Sequence, residues 1–92
     1  MIRSLKDADT EVLFRLGRVR RFVNIERSAL RKLKQLDLAR RIGGMRAPPA
    51  NRLEKLSGDR VGQWSVRIND PFRICFHWLD GEADEVEIVD YH

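Results

Sequence analysis

The chain has 92 residues, 42% of them hydrophobic, and a net charge of +4 from 18 Lys and Arg against 14 Asp and Glu. That length builds one modest core, so a single domain over residues 1–92, with no second, is expected. No apolar run reaches the roughly 20 residues that cross a bilayer, "MIRSLKDADTEV" carries charges where a secretory leader is apolar, and Cys75 has no second cysteine for a disulfide or a thiolate metal centre, so a cytoplasmic protein without a membrane partner is expected.

In chain order the elements read β-α-α-β-β-β. "MIRSL" is a short first strand, and "DADTEVLFRLG" a short helix with an Asp or Thr cap at its start and Gly17 just past its end. A longer helix is expected from a cap at Asn24 to Arg41, its apolar stripe made by Ala29, Leu30, Leu33 and Leu36. Regularity then lapses in "GGMRAPPANRLEKLSGDRVG", where Leu53 and Leu56 are the candidate anchors to the core. A connection this long in a small domain is generally functional or mobile, so it is read as one wall of a site.

The C-terminal third has the clearest pattern. Trp64, Val66 and Ile68 alternate with Gln63, Ser65 and Arg67, and Phe72, Ile74, Phe76 and Trp78 alternate with Arg73, Cys75 and His77. "NDP" closes a tight hairpin, and pairing Ile68 with Phe72 keeps every apolar residue on one side. The same register sets Arg67 opposite Arg73, where like charges repel unless an anion or a carboxylate sits between them. "LDGEAD" turns the chain into a last strand whose Val86 and Ile88 face the core, with Val89 and Tyr91 on the other face. That strand closes on Asp90, Tyr91 and His92, three ionisable side chains that are either a solvated end or groups held for chemistry.

With helices over the apolar face, the other face is free to be a shallow cleft lined by arginine. Tyr91 reads either as a border of that cleft or as a cap on the core edge, His77 as a bystander, and Cys75 as a small packed residue. An arginine in mid-strand needs a partner, which singles out Arg73. Charge is uneven along the chain: residues 1–60 hold 16 Lys and Arg against 7 Asp and Glu, residues 61–92 hold 2 against 7. The basic stretch from Arg15 to Arg41 reads as a phosphate-backbone footprint or as an ordinary solvated face.

Together the element order, the segment "NRLEKLSGDRVGQWSVRINDPFRICFHW" and the ending "EIVDYH" resemble the HigB-type toxins, members of the RelE-like group of bacterial type II toxin-antitoxin systems. The resemblance covers the whole chain. It implies an α+β fold, a small antiparallel sheet with two N-terminal helices on one face. It also implies an endoribonuclease that cuts messenger RNA in the ribosomal A site without a metal or other cofactor. The implied partners are the ribosome, its mRNA and a HigA-type helix-turn-helix antitoxin, with operator DNA reached only through the antitoxin complex.

By the same resemblance Arg73, Asp90, Tyr91 and His92 are active-site residues. Some members carry a histidine and a lysine in the loop before the second strand, where this chain has Glu54 and Ser57, so the general base is open. Lys55, Arg60 and Arg67 are nearby candidates for substrate binding. In such a reaction a base takes the proton of a 2′-hydroxyl, the oxygen attacks the adjacent phosphorus, and an acid protonates the departing 5′-oxygen. Arg73, with Arg67, would meet charge growing on the phosphate, and His92 would serve as acid or base. Tyr91 would stack on a base or orient the phosphate, Asp90 would hold His92, and Glu54 is a candidate base if its loop reaches the cleft. Two rival readings stay open: a ParE-type toxin, which shares the fold but acts on gyrase and lacks the nuclease residues, so that Arg73 and the terminal "DYH" argue against it, and a non-catalytic basic module that only binds RNA.

Overall fold

The structure, a computed structural model, describes residues 1–90. Two helices, α1 (Ala8–Leu16) and α2 (Glu26–Leu38), lie against a four-stranded antiparallel sheet of β1 (Glu54–Lys55), β2 (Gln63–Arg67), β3 (Phe72–Leu79) and β4 (Glu82–Asp90) in that spatial order. Among the described residues no helix is long and apolar enough to cross a membrane.

Local chemistry accounts for the first helix. The Asp7 carboxylate accepts from the Thr10 amide at 3.2 Å and from the Thr10 hydroxyl at 2.6 Å, and Gly17, at φ 81°, closes the far end by donating to the Leu13 carbonyl. The Thr10 hydroxyl also accepts from the Ile88 amide at 3.1 Å, which ties this cap to β4.

The second helix is shorter at both ends than the expected Asn24 to Arg41. A tight turn at Arg20–Phe22 buries Phe22, and its carbonyl accepts from the Ile25 amide at 3.0 Å, so the helix starts from Ile25 and Asn24 stands outside it. At the other end Ala39 is already extended. There the N-terminal segment takes over: Ile2 donates its amide to the Asp37 carboxylate at 2.7 Å.

The expected first strand is reduced to two isolated parallel bridges beside β4, Ile2↔Ala83 and Leu5↔Val86. Between them Glu85, at φ 51°, donates its amide to the Ser4 hydroxyl at 2.8 Å instead of to a backbone carbonyl, which interrupts the ladder. Glu85 belongs to a bulge, since the β3–β4 register slips between Cys75↔Glu87 and His77↔Asp84. Two residues of β4 oppose Phe76 alone, and Ala83 and Val86, three positions apart, both face the core. A regular strand would turn one of them away.

Leu13, Phe22, Leu33 and Leu36 from the helical layer meet Val66, Ile74, Phe76 and Val86 from the sheet, all fully buried. Phe22 also sets its ring edge-on to Phe72, with centroids 6.1 Å apart. The segment over residues 43–62 is far from irregular. It holds three one-turn helices and β1, a strand absent from the expected order, and its fully buried anchors are Met45 and Asn51, while Leu53 packs on the core only partly buried.

Candidate active site on the polar face of the sheet

The hairpin register is the expected one. Arg67 pairs with Arg73, and Ile68 donates its amide to the Phe72 carbonyl at 2.9 Å. The two arginines do not share an anion, because each has its own carboxylate. Arg67 donates to Asp70 in the turn, and Arg73 Nη2 lies 3.7 Å from Glu54 Oε2. The Arg67 hydrogen bond, and then its charge, hold the Asp70 carboxyl below the usual carboxylate range.

Arg73 is the most firmly positioned cation of this face. Its Nε donates to the Ser65 hydroxyl at 2.9 Å and its Nη2 to the Arg52 carbonyl at 3.0 Å, and the side chain is only 17% exposed. Two of the guanidinium's five donors are thereby spent inside the chain, while Nη1 has no partner among the described residues. Ser65 is the diagonal neighbour of Arg73 in the hairpin, two positions before Arg67. The register alone was enough to find it. The Arg52 carbonyl had no such signal, since it is aimed by a left-handed residue, φ 45°, in a turn that periodicity does not report.

Glu54 reaches this face. Its pairing with Ser65 in the β1–β2 ladder sets it beside Arg73, 56% exposed and open to solvent. Lys55, one residue on, pairs with Trp64 and lies 5.7 Å over its ring, so alternation sends it to the opposite face from Arg73. Arg60 is on the polar face and engaged there, donating to Glu87 at 2.8 Å and to Gln63 at 3.1 Å. Glu87, unremarked in the sequence, also accepts from Lys6 at 3.5 Å. His77 lies 3.7 Å from Glu85.

The face is more closed than a shallow open cleft. Ser65 and Cys75 are fully buried, and Arg73 lies across Ser65. Cys75 is thus the small packed residue expected. Val89 stands opposite Arg73 as the alternation required, and Asp90 pairs with Phe72 at the end of β4, on the alternate register to Arg73. Tyr91 and His92, the other two expected site residues of the chain end, lie outside the described residues.

The arrangement presents an oriented guanidinium with an adjacent solvent-open carboxylate. Such a pair holds an oxyanion with directional donors and offers a proton acceptor beside it.

Comparison with known proteins gives this face a context. The family model described as the RelE-like toxin of the type II toxin-antitoxin system HigB matches residues 4–92. Toxin HigB-1 of Vibrio cholerae serotype O1 is 43% identical over 60 residues, covering 65% of this chain and 63% of that protein. Endoribonuclease HigB of Proteus vulgaris is 34% identical over 61 residues, 66% of this chain and 65% of that protein. The matches therefore span slightly less than two thirds of each relative's length. Among solved structures, the heterotetrameric YoeB-YefM toxin-antitoxin complex from Staphylococcus aureus contains a chain with the same fold at TM-score 0.50 and 21% identity, over 78% of this chain and 80% of that one. An α+β sheet with two helices on one face, matched by the family model over nearly its whole length, places this chain in the RelE-like family of HigB toxins of type II toxin-antitoxin systems.

Proposed function

We propose that this chain inhibits translation as a metal-independent endoribonuclease that cuts mRNA in the A site of the ribosome. The observation that carries the reading is Arg73, fixed by Ser65 and the Arg52 carbonyl, its Nη1 without a partner among the described residues, beside the exposed Glu54 carboxylate. RNA carries its own nucleophile in the 2′-hydroxyl, so the protein has to supply a base, an acid and donors for the phosphate oxygens.

In this reading Arg73 meets the charge that grows on the phosphate. Its fork presents paired donors that an ammonium lacks. Glu54 takes the 2′-proton or orients the group that does, and His92 returns a proton to the 5′-oxygen, with Tyr91 against a base, while Asp90, on the alternate register to Arg73, is given no part on this face. Arg67 and Arg60 flank the path of the strand. Lys55, on the other face, is withdrawn from substrate binding. A few groups on a small face do little to position a flexible strand, and the ribosome supplies that positioning. A HigA-type antitoxin would neutralise the toxin, and operator DNA would be reached through that complex.

The test is to map the 5′ ends of mRNA after brief induction. Cuts in phase with codons, absent from an Arg73→Ala or His92→Gln protein, are expected. Uncut mRNA with translation arrested would overturn the nuclease reading. Altered DNA supercoiling with intact mRNA would point to gyrase instead.

A further inference from the structure

Lys32 stands apart from the Arg73 face. It lies on α2 between Ala29 and Leu36, and it is only 9% exposed, where an ammonium needs compensation. Its hydrogen bond goes to the side-chain carbonyl of Asn51, a neutral acceptor. Among the described residues no carboxylate is within ion-pair distance of it. Burial, and then the charges of Arg31 and Arg67, hold its pKa below that of an ordinary lysine.

This lysine lines a cavity of about 330 Å³ between the polar stripe of α2, Ser28, Arg31, Lys32 and Gln35, and an apolar wall of Pro48, Ala50 and Ile68. The stripe follows the i, i+3, i+4, i+7 spacing of one helix face. Among the described residues no acidic side chain lines the cavity. The wall is held firmly: the Asn51 amide group donates to the carbonyls of Met45 at 3.1 Å and Ala47 at 3.0 Å, and Gln35 donates to Ala47 at 2.6 Å. Cationic donors, a hydroxyl and an acid-free lining in a braced recess suit an oxyanion.

We propose that this cavity is a second RNA subsite, taking a backbone phosphate of the same strand that is bound at Arg73. The recess is wide enough for a phosphate group, and bound anion would offset the cost of a buried ammonium whose hydrogen-bond partner among the described residues is an amide. Continuity with the first site is built into the chain. Asn51 holds Lys32, and the next residue, Arg52, gives its carbonyl to Arg73 at 3.0 Å, so one turn braces both cations. The choice of RNA over a free anion rests on the nuclease reading above and on the Lys and Arg excess of residues 1–60.

The experiment is an amide-shift titration of the intact protein at constant ionic strength. The probes are inorganic phosphate, a short 2′-O-methyl oligoribonucleotide that cannot be cleaved, and a glutamate-rich peptide. Phosphate and oligonucleotide should both move Ser28, Arg31, Lys32 and Ala50, and Arg31→Gln should weaken oligonucleotide binding by about 5-fold. Lys32→Met should do the same, and if it fails to fold, the exposed Arg31 carries the test. Shifts at the cavity with phosphate should persist in Arg73→Ala, which separates this subsite from the catalytic reading. No shift with any probe overturns the proposal. Shifts with phosphate alone make the cavity a free-anion site and overturn the RNA path, and displacement of the oligonucleotide by the peptide at equal ionic strength makes it a protein contact instead.

Discussion

The two faces of the β2–β3 hairpin use the same strands in opposite ways. On one face Val66, Ile74 and Phe76 are fully buried against the helices and have no chemistry beyond exclusion of water. On the other, Ser65 and Cys75 are equally buried, yet the layer above them is charged: Arg73, Glu54, Arg60 and Glu87. Burial therefore does not distinguish a structural face from a candidate functional one. What distinguishes them is whether the buried atoms serve as hydrogen-bond partners that aim a charge, as Ser65 does for Arg73.

If that division is right, substitutions on the two faces should fail differently. The largest effect belongs to Phe76→Ala, which should cost about 3–5 kcal/mol in urea unfolding, because a fully buried ring leaves a cavity between sheet and helices. In a domain with a total stability of about 5–15 kcal/mol this comes close to unfolding it. Arg73→Ala should lower single-turnover cleavage on programmed ribosomes by about 100-fold or more, with the unfolding midpoint moved far less than by Phe76→Ala. Arg73→Lys should restore little of that activity, since an ammonium cannot make the fork of contacts. Equal loss of stability in the Phe76 and Arg73 variants would collapse the distinction between the faces.

Ser65→Ala sits on the boundary between the two. Removing the acceptor of the Arg73 Nε at 2.9 Å should cost about 1–3 kcal/mol, and it should also slow cleavage, because the guanidinium loses one of its two tethers. A variant that loses stability but cleaves at full rate would make Ser65 purely structural. The smallest effect is expected in the turn. The Asp70 carboxyl is held below its usual value by Arg67, so its contribution is present above an unfolded pKa of about 4 and is lost as pH falls through the lower folded value. Asp70→Asn should therefore flatten the stability curve only on its acid side, and an unchanged acid limb in thermal melts would show that this exposed pair contributes nothing.

Legibility in the sequence followed the range of the interactions concerned. The hairpin was readable because a period of two and a tight turn are local, and the Arg67 and Arg73 pairing came directly from that register. The same local rule missed the bulge at Glu85, which only the demand to bury both Ala83 and Val86 makes necessary. Glu54 was legible as a candidate but not as a strand residue, since two residues of β1 carry no periodicity. Lys55 was placed beside it in sequence and sent to the other face by the pleat. Lys32, part of an evidently basic helix, read as a surface charge, and its burial depends on Asn51, nineteen positions away.

By itself the sequence determined the family and the fold class, the capped first helix, the apolar face of the sheet and the mid-strand place of Arg73 opposite Arg67. These rest on motifs, periodicity and capping chemistry, all of which act between residues close in the chain. Only the tertiary structure decided what surrounds that arginine: the carbonyl of Arg52, the carboxylate of Glu54 and the turn that also braces Lys32. The physical reason is that a charge is positioned by donors and acceptors wherever the fold brings them, and the segment supplying them here is held to the core by Met45 and Asn51 through contacts that no local pattern encodes.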